Sequence, residues 1–238
     1  VTINFGRFNP PTIGHEKLLD VSMSKGTGDH RVYATQTSDN KKNPLDWKTK
    51  IKYMRKIFPS HARHILMDKK VKTIFDALTI AYKDGYKNLE LFVGSDRINE
   101  FEKLVTKYNG KKGPHGLYDF ADIKVLSAGE RDPDADGAEG MSASKMRDAA
   151  SKNDLVSFTS GLPKRFNDAE GLMNDVRAGM GLKEEKYFRQ DIKLKQVSTL
   201  REKFVTGKLF NVNDDVVTND GQEGIINKLG SNHVEVKL

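Results

Sequence analysis

The chain has 238 residues, of which 37% are apolar and 31% charged, and this suits one sizeable core with a smaller module. It has no cysteine, which excludes disulfide bonds and thiolate metal sites, and no apolar run approaches the ~20 residues that a membrane span needs. The net charge of +7 is spread along the chain, so it favours solvated lysines over a dedicated nucleic-acid surface, and it also suits a small phosphorylated ligand. We therefore expect a cytoplasmic protein without a membrane partner.

Patterns typical of strands and helices alternate along the first half of the chain. Apolar runs predict strands at 1–5, 31–35, 65–67, 89–93 and 123–126, and apolar residues at helical spacing predict helices over 16–24, 47–57, 71–83 and 98–108. This alternation indicates parallel strands joined by right-handed crossovers. We therefore predict an α/β fold with a Rossmann-like parallel sheet, helices on both faces, and ligands bound beyond the carboxyl ends of the strands.

The composition changes after residue 152 and again near residue 209. We predict a Rossmann-like domain over 1–152, a helical linker over 153–208 with one helix around 197–204, and a small β module over 209–238. The last part alternates short apolar runs with glycine and asparagine turns, and it resembles an SH3-like or KOW-type barrel. Barrels of that kind bind RNA or protein, so the resemblance implies such a partner for the C-terminal module.

The segment between the first strand and the first helix has an unusual composition, GRFNPPTIGH from Gly6 to His15. Gly6 permits a close approach of the backbone, and the two prolines stiffen the turn. Gly14 and His15 open a helix whose free N–H groups and dipole favour an anion. The loop therefore suits phosphate, although it matches neither the P-loop nor the G-x-G-x-x-G dinucleotide loop.

This segment resembles the first signature of the nucleotidylyltransferase superfamily, in which a strand, a glycine and a phenylalanine-asparagine-proline turn precede a histidine at a helix start. A second signature is expected far downstream. The run GMSASKMR from Gly140 to Arg147 is similar to the I-S-S/T-T-x-I-R element of the family. The two signatures stand in the family's order with a Rossmann-like pattern between them, so the resemblance covers the predicted domain 1–152.

The resemblance implies an enzyme that joins a nucleoside triphosphate, ATP in the favoured case, to a phosphate-monoester acceptor such as nicotinamide mononucleotide and releases pyrophosphate. His15 would donate a hydrogen bond to the α- or β-phosphate, with Thr12 as its partner. Ser142, Ser144 and Arg147 would hold the β- and γ-phosphates, and Mg²⁺ would bridge triphosphate oxygens with no dedicated protein ligand evident. The expected catalytic residues are Thr12, His15 and Arg147, and the expected nucleotide-binding residues are Gly6, Arg7, Phe8, Asn9, Gly14, Gly94, Asp96, Ser142 and Ser144.

Thr12 stands where many members of the superfamily have a histidine. A hydroxyl carries no positive charge, so it stabilises phosphate less than a charged donor does. Nicotinamide mononucleotide adenylyltransferases include members with the same turn and a threonine at this point, so the substitution favours that activity. The run KNPL at 42–45 also resembles the N-P-F segment of related adenylyltransferases, whereas surface exposure is the simpler interpretation of Lys41 and Lys42.

Two other functions stay open. Both signatures are shared with cytidylyltransferases that act on a phosphorylated alcohol, and no base-reading residue is identifiable. The signatures and the tail together also resemble a nucleotidylyltransferase-like protein encoded by large tailed phages, which would act in the host cytoplasm. That resemblance implies a non-catalytic binding or virion-assembly protein that keeps the fold, although the joint retention of His15 and Arg147 argues against decay of the site. A homo-oligomer is compatible with each of these functions.

Overall fold

The computed structural model describes residues 1–127, 129, 141–182, 187–190, 209–217, 221–230 and 233–237, with only the backbone described for 187–190. The chain forms two compact units, Val1–Leu182 and Lys183–Leu238. The helix predicted around 197–204 lies outside the described residues. Within the described ranges, no helix combines the length and the apolar character needed to cross a membrane.

Four parallel strands form the sheet of the first unit. They are β1 (Thr2–Gly6), β2 (His30–Ala34), β3 (Asn88–Val93) and β4 (Asp122–Ser127), in the order β2-β1-β3-β4. This arrangement confirms the predicted α/β fold. The strand predicted at 65–67 is wrong, because only Ile65 pairs with Val32, as an isolated bridge. The Arg55 guanidinium donates to the Ile65 carbonyl at 2.7 Å, so this acceptor is already bonded to a side chain.

Helices cover both faces of this sheet, as predicted. They are α1 (Ile13–Lys25), α2 (Trp47–Ile57), α3 (Ile74–Lys83) and α4 (Ile98–Tyr108). Side chains of Thr12, Asp46 and Thr73 accept hydrogen bonds from backbone N–H groups in the first turns of α1, α2 and α3. The helix predicted from residue 71 therefore begins only at Ile74, directly after its cap.

Alternation along the strands divides the core into two layers. Val32 on β2 packs in the layer that contains residues of α1 and α2, whereas its neighbour Tyr33 packs in the layer that contains residues of α3 and α4. Ile3 on β1 and Leu91 on β3 also face the second layer. The two layers hold the strands so that the carboxyl ends of β1 and β3 meet at one edge.

Three further helices belong to the first unit: α5 (Ala143–Ser151), α6 (Leu155–Ser160) and α7 (Ala169–Gly179). Phe158 of α6 and Leu172 of α7 are fully buried in the core layer of α1 and α2. Between these two helices, Arg165 pairs with the Glu16 carboxylate of α1 and donates to the Ile57 carbonyl at 3.1 Å. The helices that follow residue 152 are therefore built into the sheet-containing unit.

A polar cluster lies inside the first unit, where β1, β2 and α1 meet. His30 Nε2 lies 2.6 Å from Asn4 Oδ1, and Ser22 Oγ donates to the same oxygen at 2.8 Å. Burial, followed by the charges of His64 and His61, lowers the pKa of His30 to about 4. The imidazole is therefore neutral at pH 7. The three buried side chains bond to one another through His30 Nε2, whereas His30 Nδ1 is buried without a hydrogen-bond partner among the described residues.

The second unit contains an antiparallel sheet. Its strands β5 (Tyr187–Gln190), β6 (Asp215–Val217), β7 (Glu223–Leu229) and β8 (Val234–Lys237) are arranged in the order β5-β8-β7-β6. Ile226, Val234 and Val236 are buried at its centre. This confirms a small β module at the C-terminus, and it also places one strand, β5, inside the range 153–208 that the sequence predicts as a helical linker.

Candidate functional site

The loop after β1 is shaped by the ring of Phe8. Phe8 has a φ of 47°, in the left-handed region that bulky residues rarely adopt, and it is 1% exposed. A Cβ atom at Gly6 would lie 3.0 Å from this ring. The packing of Phe8 therefore leaves little room for a side chain at position 6, apart from any approach of a ligand.

Asn9 joins this loop to the chain that precedes α2. Its side-chain Nδ2 donates to the Leu45 carbonyl at 2.9 Å, and its Oδ1 accepts from the Leu45 N–H at 3.0 Å. Both polar ends of the buried amide are therefore occupied by backbone. The side chain of Asn9 holds the two loops together, while its own backbone carbonyl faces Arg147.

Thr12 and His15 form a capping box at the start of α1. The backbone N–H of Thr12 donates to His15 Nδ1 at 3.0 Å, and the His15 N–H donates back to Thr12 Oγ1 at 3.3 Å. The Thr12 hydroxyl also lies 3.0 Å from Nδ1. The ring of Phe8 packs against the imidazole with a centroid separation of 4.9 Å.

The second signature also begins a helix. Ser142 caps α5 by accepting from the Lys145 N–H at 3.1 Å. Arg147, in the next turn, donates to the Asn9 carbonyl at 2.7 Å and to Ser144 Oγ at 3.0 Å. A hydrogen bond thus joins the two signatures across 138 residues of sequence.

The positive charge of Arg147 lies near a second positive charge, that of Arg7, and the nearby carboxylate of Asp39 offsets it only in part. Burial, and after it the positive charge of Arg7, lower the pKa of Arg147, while Asp39 opposes this to a smaller degree. The Asp39 carboxylate is itself bonded to the backbone N–H groups of Lys41 and Lys42. Two guanidinium groups therefore stand near each other, and this arrangement favours an anion between them.

A cavity of about 410 Å³ opens between the end of β1, the segment after β3 and the starts of α1 and α5. This edge is where ligands of parallel sheets bind, as the sequence predicts. The structure brings together every residue that was expected from the sequence. The cavity is lined by Gly6, Arg7, Phe8, Asn9, Thr12, Gly14, His15, Gly94, Asp96, Ser142, Ser144 and Arg147.

The charged residues that line the cavity are mostly cationic. Among the residues that the structure describes, they are Arg7, Lys17, Lys42, Arg97 and Arg147, against the carboxylate of Asp96. An excess of this kind attracts a ligand with several negative charges, since cations at a concave surface concentrate anions. The N-terminal turns of α1 and α5 add backbone N–H groups at the same cavity.

Sequence reasoning missed two of these cations. Lys17 follows Gly14 by three residues on α1, and helical spacing could have placed both on one face. Arg97 follows Asp96 directly, and its guanidinium lies 4.6 Å above the ring of Phe101. Lys42, whose simpler interpretation was a surface lysine, lines the cavity as well.

A further lysine that the sequence analysis missed lies outside the described lining of the cavity. Lys50 of α2 is 0% exposed, and the partner of its Nζ among the described residues is the Thr35 hydroxyl, at 3.4 Å. Burial lowers the pKa of Lys50 to about 8, with a smaller opposing effect of Asp46. A charged group so deeply buried is rare. Its helical spacing from Met54 and Ile57 places it on the apolar face of α2, and this was the available sequence signal.

The described residues offer little protein coordination for a cation. Among them, no group of three or more histidine or acidic side chains could hold a metal ion. Asp96 supplies the lone carboxylate of the described lining. A Mg²⁺ ion in this cavity would therefore take most of its oxygen ligands from a polyphosphate and from water, and such coordination is typical of Mg²⁺.

Neither a search of protein-family models nor a search of curated proteins finds a match to the chain. The resemblance to nucleotidylyltransferases therefore stays a prediction based on the two signatures. The geometry of the cavity is independent of that resemblance, because it follows from contacts within this chain.

Proposed function

We propose that the protein is a nucleotidylyltransferase that transfers a nucleotidyl group, most simply AMP from ATP, to a phosphate-monoester acceptor such as nicotinamide mononucleotide. The observation that carries the proposal is the cavity in which Arg147 of the second signature donates to Asn9 of the first. Cations line this cavity from both signatures and from the segment after β3. Its volume of about 410 Å³ is within the range of small-molecule sites.

In the proposed reaction, an oxygen of the acceptor phosphate attacks the α-phosphorus in line with the bond to the β-phosphate. A new P–O bond forms, the bond to the bridging oxygen breaks, and its electron pair leaves with pyrophosphate. The protein contributes mainly position and charge, as in other phosphoryl transfers. His15 would donate a hydrogen bond to the oxygen on which charge grows, and Arg147 with Ser144 would hold the departing phosphates. Mg²⁺, when bound by the triphosphate, neutralises part of its charge.

Pyrophosphate release tests the proposal. The full-length protein is incubated with Mg²⁺, each of the four nucleoside triphosphates, and a panel of acceptors that includes nicotinamide mononucleotide and phosphorylated alcohols. We expect release that requires both ATP and one acceptor. A requirement for CTP and a phosphorylated alcohol would support the cytidylyltransferase alternative, and no release by folded protein would contradict a transferase function.

A pair of arginine variants shows whether the activity belongs to this cavity. Arg147→Ala removes a charged donor, so we expect the KM for the triphosphate to rise roughly 10- to 100-fold. Arg63→Ala is the matched control, because Arg63 is exposed and does not line the cavity. Equal kinetic constants for both variants would separate the activity from the second signature.

One observation favours a second role, as a binding or assembly protein, for the C-terminal unit. Val217 and Ile225 lie on the same face of the β6–β7 ladder and are 68% and 47% exposed. Exposed apolar side chains of this size suit a protein partner, a second copy of the chain included. We expect the double variant Val217→Ser/Ile225→Ser to lower the mass measured by light scattering if the chain self-associates through this face. An unchanged mass would contradict self-association there.

A further inference from the structure

The hydrogen bonds of Thr12 point to a role different from phosphate binding. The Thr12 residue is 2% exposed, and its hydroxyl oxygen accepts from the His15 N–H. The same hydroxyl lies 3.0 Å from His15 Nδ1, whose single lone pair can be shared by the hydroxyl and the Thr12 N–H. The hydrogen bonds of the hydroxyl are thus made within the first turn of α1.

The backbone of Thr12 sets the protonation of the neutral His15 ring. A backbone N–H can only donate, and that of Thr12 lies 3.0 Å from His15 Nδ1. Nδ1 must therefore accept, and a neutral imidazole then carries its proton on Nε2. A proton on Nδ1 would place two N–H groups against each other and would remove this bond of the capping box.

We propose that Thr12 is a positioning residue that holds neutral His15 in the tautomer with the proton on Nε2. The part of this proposal that concerns catalysis rests on the proposed function, in which the Nε2–H group donates to the phosphate. The ring of Phe8, 4.9 Å from the imidazole, closes one side and limits its rotation. A threonine at this position is accordingly compatible with an active site, since it acts through His15.

The tautomer can be measured without any substrate. Two-bond ¹H–¹⁵N spectra of ¹⁵N-labelled protein report which ring nitrogen is protonated, and His15→Gln identifies the signals of His15. We expect the Nε2–H pattern at pH 8.5, well above the ordinary pKa of histidine. An Nδ1–H pattern, or a doubly protonated ring at this pH, would overturn the proposal. This result does not depend on whether transferase activity is found.

Two variants of Thr12 test its effect on the reaction. Thr12→Val keeps the shape and the backbone N–H but removes the hydroxyl, whereas Thr12→Ser keeps the hydroxyl. We expect Thr12→Val to lower kcat about 10-fold with the KM for the triphosphate within about 2-fold, because the loss falls on a transition-state donor. Thr12→Ser should restore kcat to within about 2-fold of the original value.

The alternative outcomes separate the possible roles. A higher KM with unchanged kcat in Thr12→Val would mean that the hydroxyl binds phosphate directly, and it would overturn the positioning role. An unchanged rate in Thr12→Val would overturn a positioning role of the threonine side chain, because the tautomer would then depend on the backbone N–H alone, which valine keeps. Thermal unfolding of both variants accompanies the kinetics, since loss of an N-cap costs about 1 kcal/mol of stability. If no variant releases pyrophosphate, the proposed function fails while the tautomer measurement still decides the role of Thr12.

Discussion

The buried polar cluster of Asn4, Ser22 and His30 differs from the cavity in how its polar groups are balanced. Within the cluster, the three side chains bond to one another and the imidazole is neutral at pH 7. The described lining of the cavity instead gathers Arg7 and Arg147 with one carboxylate, that of Asp96. The polar groups of the cluster bond mostly to one another, whereas an excess of positive charge at a concave surface favours an anionic ligand.

The largest expected effect concerns the cavity and follows from removal of the His15 side chain. We expect His15→Ala to lower turnover by about 10²- to 10³-fold, as the loss of one transition-state donor does. Stability should change little, because Thr12 still caps α1 through its hydroxyl. Steady-state pyrophosphate release and thermal unfolding measure the two effects. Turnover unchanged within about 2-fold would remove His15 from the proposed mechanism.

The second effect is the pH dependence of stability that the buried cluster of Asn4, Ser22 and His30 should cause. The pKa of His30 is about 4 in the folded protein against 6.5 for an ordinary histidine, so the unfolded chain binds the extra proton first. The contribution of neutral His30 to the free energy of unfolding is therefore fully present above pH 6.5. The free energy of unfolding falls by about 3 kcal/mol as the pH drops towards 4. Urea unfolding at several pH values measures this slope.

The control for the pH prediction is His30→Gln, which keeps a donor for Asn4 Oδ1 but does not titrate. The free energy of unfolding of this variant should fall less steeply between pH 6.5 and 4. Parallel slopes in both proteins would show that groups other than His30 cause the acid sensitivity.

Lys50 provides a smaller effect, because it is a buried charge with one weak partner. We expect Lys50→Met to raise the free energy of unfolding by about 2 kcal/mol at pH 7, since the buried charge is removed. The pKa of Lys50 is lowered to about 8 in the folded protein, so the folded protein loses this proton before the unfolded chain does. The difference in the free energy of unfolding between the original protein and the variant should therefore shrink as the pH rises from 8 to 10.5. Lys52→Met, at an exposed position of the same helix, is the matched control. A less stable Lys50→Met protein would contradict this account.

The smallest effect separates stability from binding at a single glycine. A Cβ at Gly14 would meet only Thr12 Oγ1, at an ordinary 3.6 Å, so the protein itself has room for alanine. We expect Gly14→Ala to raise the free energy of unfolding by about 0.5–1 kcal/mol. Because Gly14 lines the cavity, the triphosphate should bind less tightly. Unchanged affinity would place the phosphates away from this helix start.

The sequence predicts the fold and the lining of the cavity well, because both depend on local patterns. Alternating apolar runs predict the four strands, and the two signatures contain the residues that meet at the cavity. The sequence does not predict contacts between distant segments. The amide of Asn9 is bonded to Leu45, and the space at Gly6 is required by Phe8, although position 6 alone suggests a ligand contact.

Burial is the other quantity that local patterns miss. The charge of Lys50 suggests a surface position, yet the residue is fully buried on the same face of α2 as Met54 and Ile57. The strand predicted at 65–67 fails for a different reason, since this segment pairs with β2 only at Ile65. Both outcomes depend on contacts with segments that are distant in the sequence.

The contacts of α1 with the chain after α6 bear on the order in which the protein is made. The Ile13 N–H donates to the Gly161 carbonyl at 2.9 Å, and Glu16 pairs with Arg165. A ribosome releases the loop that contains Gly6 to His15 well before these partners, which follow it in the chain. We therefore expect the cavity to form only after α5–α7 have been synthesised.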